Sequence, residues 1–271
     1  MIEYEIRPER KFSFGFAELR RHSELLYFFT WRDIKVKYKQ AALGVLWAIF
    51  QPLLMMVIFS FAFRRFITIN DTVPYPFFAF SGLILWSVFS SGITGSGNSM
   101  VQNANIIKKI YFPRLIIPFS AILVAVFDFL MTLPVLAAMM IYYGISPEWS
   151  NSWMLPVALL QTLLATLGPG CLLAALNVKY RDFRYIVPFL VQFLLFATPV
   201  IYPENQISQR WIQELLAVNP VSGAISLFRA FLTGVAPDPV LCTISAVSTV
   251  IFFFAGIYYF RKTESYFADL A

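Results

Sequence analysis

Residues 177–185 read NVKYRDFRY, an island in which Lys179, Arg181, Asp182 and Arg184 stand between two almost wholly apolar flanks. Residues of these types can form ion pairs with a partner, and Tyr180 and Phe183 beside them can fill a groove. One more charged group, Asp128, falls inside an apolar run, where a carboxylate is costly unless it is protonated or hydrogen-bonded. Two roles stay open for it: a proton relay, or a structural hydrogen bond to a neighbouring helix. No second acid within a span is present to build the relay. Other chemistry is absent from the pattern. There is no GxxxxGK[S/T] phosphate loop, HExxH, GxSxG or CxxC, and no pair of loop acids at a catalytic spacing. His22, the single histidine, has no cysteine or carboxylate cluster beside it, so no metal site is expected. Cys171 and Cys242 lie in apolar runs and read as small core residues. The chain is therefore not expected to be an enzyme. It reads as a conduit, a secondary transporter, or the membrane half of a pump powered from outside.

The elements that position these groups follow from composition. Of 271 residues, 59% are hydrophobic and 13% charged, against about 45–50% and 25% in an ordinary soluble domain. With a mean hydropathy of +0.68, this is an all-α integral membrane chain, read as one domain over 1–271. No apolar stretch with a small-residue cleavage site precedes residue 43, so no cleaved leader is expected. The triplet at Asn70 matches a glycosylation acceptor, a pattern short enough to occur by chance. A crossing helix needs about 20 apolar residues. Six runs qualify: Leu43–Phe63, Phe77–Met100, Leu115–Tyr143, Trp153–Leu176, Tyr185–Tyr202 and Pro239–Phe260. Together they fill 43–260, between an N-terminal segment (1–42) and a short tail (261–271).

Seventeen of the 21 lysines and arginines fall on one side of these spans. Both termini and NVKYRDFRY are therefore predicted to be cytoplasmic. The net charge of +6 reflects topology rather than nucleic-acid binding, because no basic stripe on a soluble fold accompanies it.

Three segments do not fit a plain bundle of spans. In SELLYFFTWRDIKVKYKQ, the residues Tyr27, Trp31, Ile34 and Tyr38 fall on one helix face, flanked by Arg32, Lys35, Lys37 and Lys39. That describes a helix in the membrane interface, either as an anchor or as the border of a cytoplasmic entrance. In QNANIIKKIYFPR, Ile106, Ile107, Ile110 and Tyr111 form an apolar face with Lys108 and Lys109 pointing elsewhere, and Pro113 ends the segment. A short helix docked on a partner, or a turn on the headgroups, would show that pattern. Between spans five and six, two helix-like pieces flank Asn219-Pro220. Each is too short to cross, so 204–235 reads as a re-entrant or interfacial pair whose broken backbone must be buried or meet water. Arg229 and Glu214 are among its charged groups. Aromatic residues make up 18% of the chain. Phe50, Phe59, Trp86, Phe89, Phe193, Phe196 and Tyr202, in or near span ends, are candidates to line a passage in which sugar rings stack.

The blocks FFTWRDIKVKYKQAALGVLWAIFQPLL, NANIIKKIYFPRLIIP, NVKYRDFRYIVPFLVQFLLFATPVIYP and NPVSGAISLFRAFLTG, in this order over nearly the whole chain, resemble the membrane subunit of an ABC-2-type transporter, of the branch that exports O-antigen or teichoic-acid polysaccharides. The resemblance implies six transmembrane helices per chain and a homodimer whose interface forms the passage. It implies two copies of a separate ATP-binding subunit, which carries ATP and magnesium, docked on the cytoplasmic face of a bacterial inner membrane. It makes the N-terminal amphipathic helix an interface or gate helix, with Tyr27, Trp31, Arg32, Lys35, Lys37 and Tyr38. It puts Asn105, Ile107, Lys108, Lys109 and Tyr111, and Lys179, Tyr180, Arg181, Asp182 and Phe183, at two cytoplasmic coupling helices, and makes 204–235 the extracytoplasmic gate. The implied cargo is a polysaccharide on a lipid diphosphate. About ten residues follow span six, so a carbohydrate-recognition domain, if the system has one, is expected on the ATPase chain. The competing readings are an ABC-2 exporter of lipids or drugs, and a proton-coupled secondary transporter.

Overall fold

A computed structural model describes residues 16–39, 41–63, 73–264 and 267. Arg7, Arg10, Lys11, Arg64, Arg65, the Asn70 triplet and the last four residues lie outside the described residues, and so do those parts of the expected N-terminal segment and tail. Two helices, α1 (Phe16–Arg21) and α2 (Ser23–Tyr38), lead to α3 (Leu46–Phe63) through a turn in which Gly44 takes φ 52°. Then come α4 (Tyr75–Gln102), the short α5 (Ala104–Lys109), α6 (Ile116–Tyr143), α7 (Met154–Lys179), α8 (Phe183–Ala197), α9 (Arg210–Ala217), α10 (Ser222–Thr233) and α11 (Pro239–Thr263).

Among the described residues five helices, α3, α4, α6, α7 and α11, are long and apolar enough to cross a membrane, and α9 with α10 forms a pair bent by 101°. The fold is thus an all-helical membrane bundle. Helix α4 is its axis. It packs against α3, α6, α7, α8 and α10, and 72% of its apolar window is buried, against 11% for α3. A membrane helix with so little protein around it leaves most of its surface for lipid or another chain.

The expected fifth span, Tyr185–Tyr202, is a 15-residue helix that stops at Ala197. The cause is local. Thr198 precedes Pro199, whose ring disfavours the helical region for the residue before it, and Thr198 is extended at φ −111°, ψ 143°. The six residues that follow the helix do not continue it. Val200 and Ile201 are buried, as irregular backbone at membrane depth must be.

The Asn219-Pro220 break behaves as its exposed carbonyls require. Ser245 Oγ and Thr249 Oγ1 of α11 donate to Pro220 O at 3.1 and 3.0 Å, and Ser248 Oγ donates to Val218 O at 2.5 Å. From α7, Gln161 Nε2 donates to Pro220 O at 3.3 Å and to Ser245 Oγ at 3.1 Å. Asn219 Nδ2 donates to Thr198 Oγ1 at 2.6 Å, joining the two breaks. The network depends on α7 and α11 crossing backbone to backbone. A Cβ on Gly168 would overlap Phe252 and Phe253, and one on Gly256 would overlap Gly168 itself.

Candidate functional site

A groove of about 630 Å³ runs between α3, α4 and α8. Its floor is one face of α4, where Leu83, Trp86, Ser87, Ser90, Ser91 and Thr94 recur at helical spacing. Gln51 and Phe59 face it from α3, and Gln192 and Phe196 from α8. Phe59 and Phe196 meet edge to face, 6.5 Å apart. Of the seven aromatic passage candidates, the structure brings Phe59, Trp86 and Phe196 into this groove. Phe89 is buried in the core behind Trp86, at 5.3 Å between rings. Phe50 and Phe193 are exposed outside the groove lining, and Tyr202 donates to Phe196 O at 3.0 Å beyond the end of α8. The hydroxyl row on α4 was not among the sequence candidates. Its i, i+3, i+4, i+7 spacing through SVFSSGIT is the signal that marks it.

Lys37, Tyr38 and Asp128 also line the groove. Lys37 Nζ and Tyr38 Oη both bond the Asp128 carboxylate. Of the two roles open for Asp128, the geometry supplies a bond to a neighbouring helix, and the partner carries a positive charge. Two more contacts fasten α2 to the bundle. Arg32 donates to Asn103 Oδ1 at 2.7 Å where α4 ends, and Ser120 Oγ of α6 reaches Asp33 Oδ2 at 3.4 Å. The expected aromatic stripe on α2 is split. Tyr38 is drawn inward by Asp128, whereas Tyr27 and Trp31 stay exposed and stack on each other at 6.5 Å, with Lys35 over the Trp31 ring. The face that packs inward carries Phe29, 5.5 Å from Phe112.

The two expected coupling segments lie at the ends of α4 and α7. Asn177 Nδ2 ties these ends together, donating to Gly97 O at 3.0 Å and Asn98 Oδ1 at 2.9 Å. The first segment is a helix, α5, with Ile107 buried and Asn105, Lys108 and Lys109 exposed. The expected apolar face is broken, because α5 ends at Lys109. Ile110 is extended, and Tyr111 is 90% exposed. The second segment is a turn rather than a helix. Helix α7 runs through Lys179, and α8 begins at Phe183, so only Tyr180, Arg181 and Asp182 link them, all exposed. Sequence reasoning counted Arg114 and Arg261 only as basic residues. Arg261 bonds Glu18 of α1 at 2.8 Å and Glu264 at 2.6 Å. The backbone of Arg114 donates to Glu264 Oε1 at 3.3 Å. Phe267 is buried on Phe260, 5.1 Å away. The end of α11 thus joins α1 to the segment that follows α5.

At the opposite end, Arg229 of α10 holds the residues after α8. It donates to Pro199 O at 2.7 Å, to Phe78 O at 3.0 Å and to Val200 O, and lies 3.6 Å from the Phe78 ring centroid. Glu214 pairs with Arg210 on the exposed side, and Arg210 also reaches Asp238 at 2.5 Å. A second cavity of about 360 Å³ lies here, lined by Glu204, Arg229 and Asp238 among others. Burial raises the Glu204 carboxyl above its ordinary range, partly offset by the hydroxyl of Ser226 at 2.6 Å. Hydrogen bonding from Arg210 lowers that of Asp238. Arg229→Met should leave the Pro199 and Val200 carbonyls without their donor, remove one of two side-chain donors from Phe78 O, and cost about 3 kcal/mol in detergent unfolding. Arg229→Lys should recover only part of this, because one ammonium does not match the planar fork. Full recovery by lysine would contradict the fork geometry.

The sequence that builds these elements is similar to those of known proteins. Residues 24–233 match the profile of the ABC-2 type transporter family. The O-antigen export system permease protein RfbA of Klebsiella pneumoniae is 32% identical over 251 residues, covering 91% of this chain and 95% of that protein. RfbA of Myxococcus xanthus is 31% identical over 253 residues, 92% of this chain and 96% of that protein. The polysialic acid transport protein KpsM of Escherichia coli is 24% identical over 242 residues, 86% of this chain and 91% of that protein. The matched residues contain α3 to α10 and the whole groove, and on that ground the chain belongs to the ABC-2 type transporter family.

Proposed function

We propose that this chain is the membrane subunit of an ATP-powered exporter that carries a lipid-linked polysaccharide out of the cytoplasm across a bacterial inner membrane. The observation that carries this reading is the groove, which combines three aromatic rings with a row of hydroxyls on α4. Sugar rings present C–H faces to aromatics and O–H edges to polar groups, and need no fixed charge to slide. Similarity to two O-antigen export permeases supports the cargo class. The outward face of α3 and the exposed side of α8, at Tyr185, Phe189 and Phe193, suit a second copy of the chain, so that two grooves enclose one passage. Lys35 and Lys37 stand where a lipid diphosphate would enter.

ATP and magnesium belong to a separate ATP-binding subunit, two copies of which dock at the basic end, where both termini lie on the cytoplasmic side. Tyr111 and Tyr180 are its handholds: large, exposed, and rigidly joined to α4, α6 and α7. Tyr111→Ala and Arg181→Glu should each abolish co-purification of the ATPase, or ATP-dependent export, while the protein still inserts. Normal export by both variants would overturn the docking assignment. The lipid or drug reading predicts instead that export of a lipid dye proceeds at least as well as that of a glycan.

A further inference from the structure

We infer that the groove selects an uncharged polysaccharide and rejects one that bears a carboxylate on each repeat. This rests on the export reading above and narrows its substrate class.

Among the described residues the groove has one charged pair in its wall, Lys37 with Asp128, joined by its own bond. The rest of the described lining holds no cation. Three of the four hydroxyls on α4, those of Ser87, Ser90 and Ser91, are also committed. Ser87 Oγ donates to Ile84 O at 2.7 Å, Ser90 Oγ to Ser87 O at 3.3 Å, and Ser91 Oγ to Ser87 O at 2.5 Å. Tyr38 Oη donates to Asp128. With their protons turned back onto the protein, these oxygens meet the cargo as hydrogen-bond acceptors.

A row of acceptors distinguishes the two classes of glycan. A neutral sugar is rich in O–H donors, so each hydroxyl that leaves water finds an oxygen on α4. Its ring and hydroxyl oxygens can accept from the amides of Gln51 and Gln192, the neutral donors on α3 and α8. An ionised carboxylate accepts only. Moving past the serine row, it would lose its hydration and face oxygens, with only the neutral amides of Gln51 and Gln192 to donate and, among the described residues, no cation beyond the paired Lys37 to compensate. The penalty would recur at every repeat, because the whole polymer passes the same wall. A second copy of the chain adds an identical wall and no new charge.

The test uses the full chain with its ATP-binding subunit in proteoliposomes. Two glycans of equal length on the same lipid diphosphate are supplied, one of neutral hexoses, one with a hexuronic acid in each repeat. The wild type should export the neutral glycan and move the acidic one at least roughly tenfold more slowly. Ser90→Lys and Gln192→Lys, which put a cation into the middle of the groove, should narrow that gap by speeding the acidic glycan. Equal wild-type rates would overturn this inference and leave the export reading standing. Export of neither glycan would overturn both. Variants that slow both glycans equally without narrowing the gap would also overturn it, since charge would then not be what the wall senses.

Discussion

Gly256→Val is expected to remove most of the folded protein from the membrane. A Cβ at this position falls on the backbone of Gly168, and backbone cannot swing aside as a side chain does. Helices α7 and α11 would have to separate. Overpacking a core costs about 1–3 kcal/mol where neighbouring side chains can adjust, and more is expected here. Native proteins hold only about 5–15 kcal/mol in reserve. Separation also pulls Ser245 and Thr249 of α11 away from Gln161 and from the Pro220 carbonyl. The cost of the clash and the loss of that network therefore add. Gly97→Ala is the control. Its Cβ would meet Leu173 at 3.5 Å, an ordinary contact, and a helical alanine is favoured over glycine by about 0.5–1 kcal/mol. Size-exclusion chromatography in mild detergent, followed by thermal unfolding, should show Gly97→Ala as stable as wild type and Gly256→Val aggregated. A monodisperse Gly256→Val with an unchanged Tm would contradict the close crossing.

The spans themselves were legible because a lipid solvent demands long apolar runs, and α4, α6, α7 and α11 lie within a few residues of the runs read for them. The bent pair of short helices around Asn219-Pro220 was legible for a related reason: the broken backbone between them must be buried or meet water. The shortening of span five was readable from Thr198-Pro199, but the apolar run around it outweighed that proline, and Pro188 in the same run does not end the helix. Rotation was the feature least accessible to reading. Phe59 faces the groove and Phe89 the core, yet both are phenylalanines in spans, and only packing against neighbours sorts them. Gly168 and Gly256, 88 positions apart, carry no mark that pairs them. The positive-inside count treated Arg114 and Arg261 as interchangeable with Lys262, whereas their bonds to Glu18 and Glu264 tie α1, α11 and the α5–α6 link together. Asp128 was the clearest partial success. Physics required a partner for it, and only the fold could name Lys37, 91 residues away.

That pair makes a prediction with an internal asymmetry. Breaking a fully buried ion pair from one side costs about 3–5 kcal/mol, because the surviving charge is left without compensation. Here the two partners are not equally buried: the Asp128 side chain is 12% exposed and that of Lys37 43%. A lysine with that much access can turn its ammonium toward water, so Asp128→Leu should cost only about 2 kcal/mol, after discounting for screening. Asp128 has no such escape. Lys37→Met leaves its carboxylate with Tyr38 alone, and should cost about 3 kcal/mol or more. The double variant removes both charges, and its loss should fall well below the sum, with a coupling of at least about 1 kcal/mol in a double-mutant cycle. Stability and transport should then part company. The double variant regains folding but not export, because α2 no longer has its tether at the groove. Asp128→Asn sharpens the point. It keeps an oxygen for Lys37 and Tyr38 but cannot carry a proton through a cycle, so retained export would exclude an obligate relay. Additive losses in the unfolding cycle would show that Lys37 and Asp128 do not act as a pair.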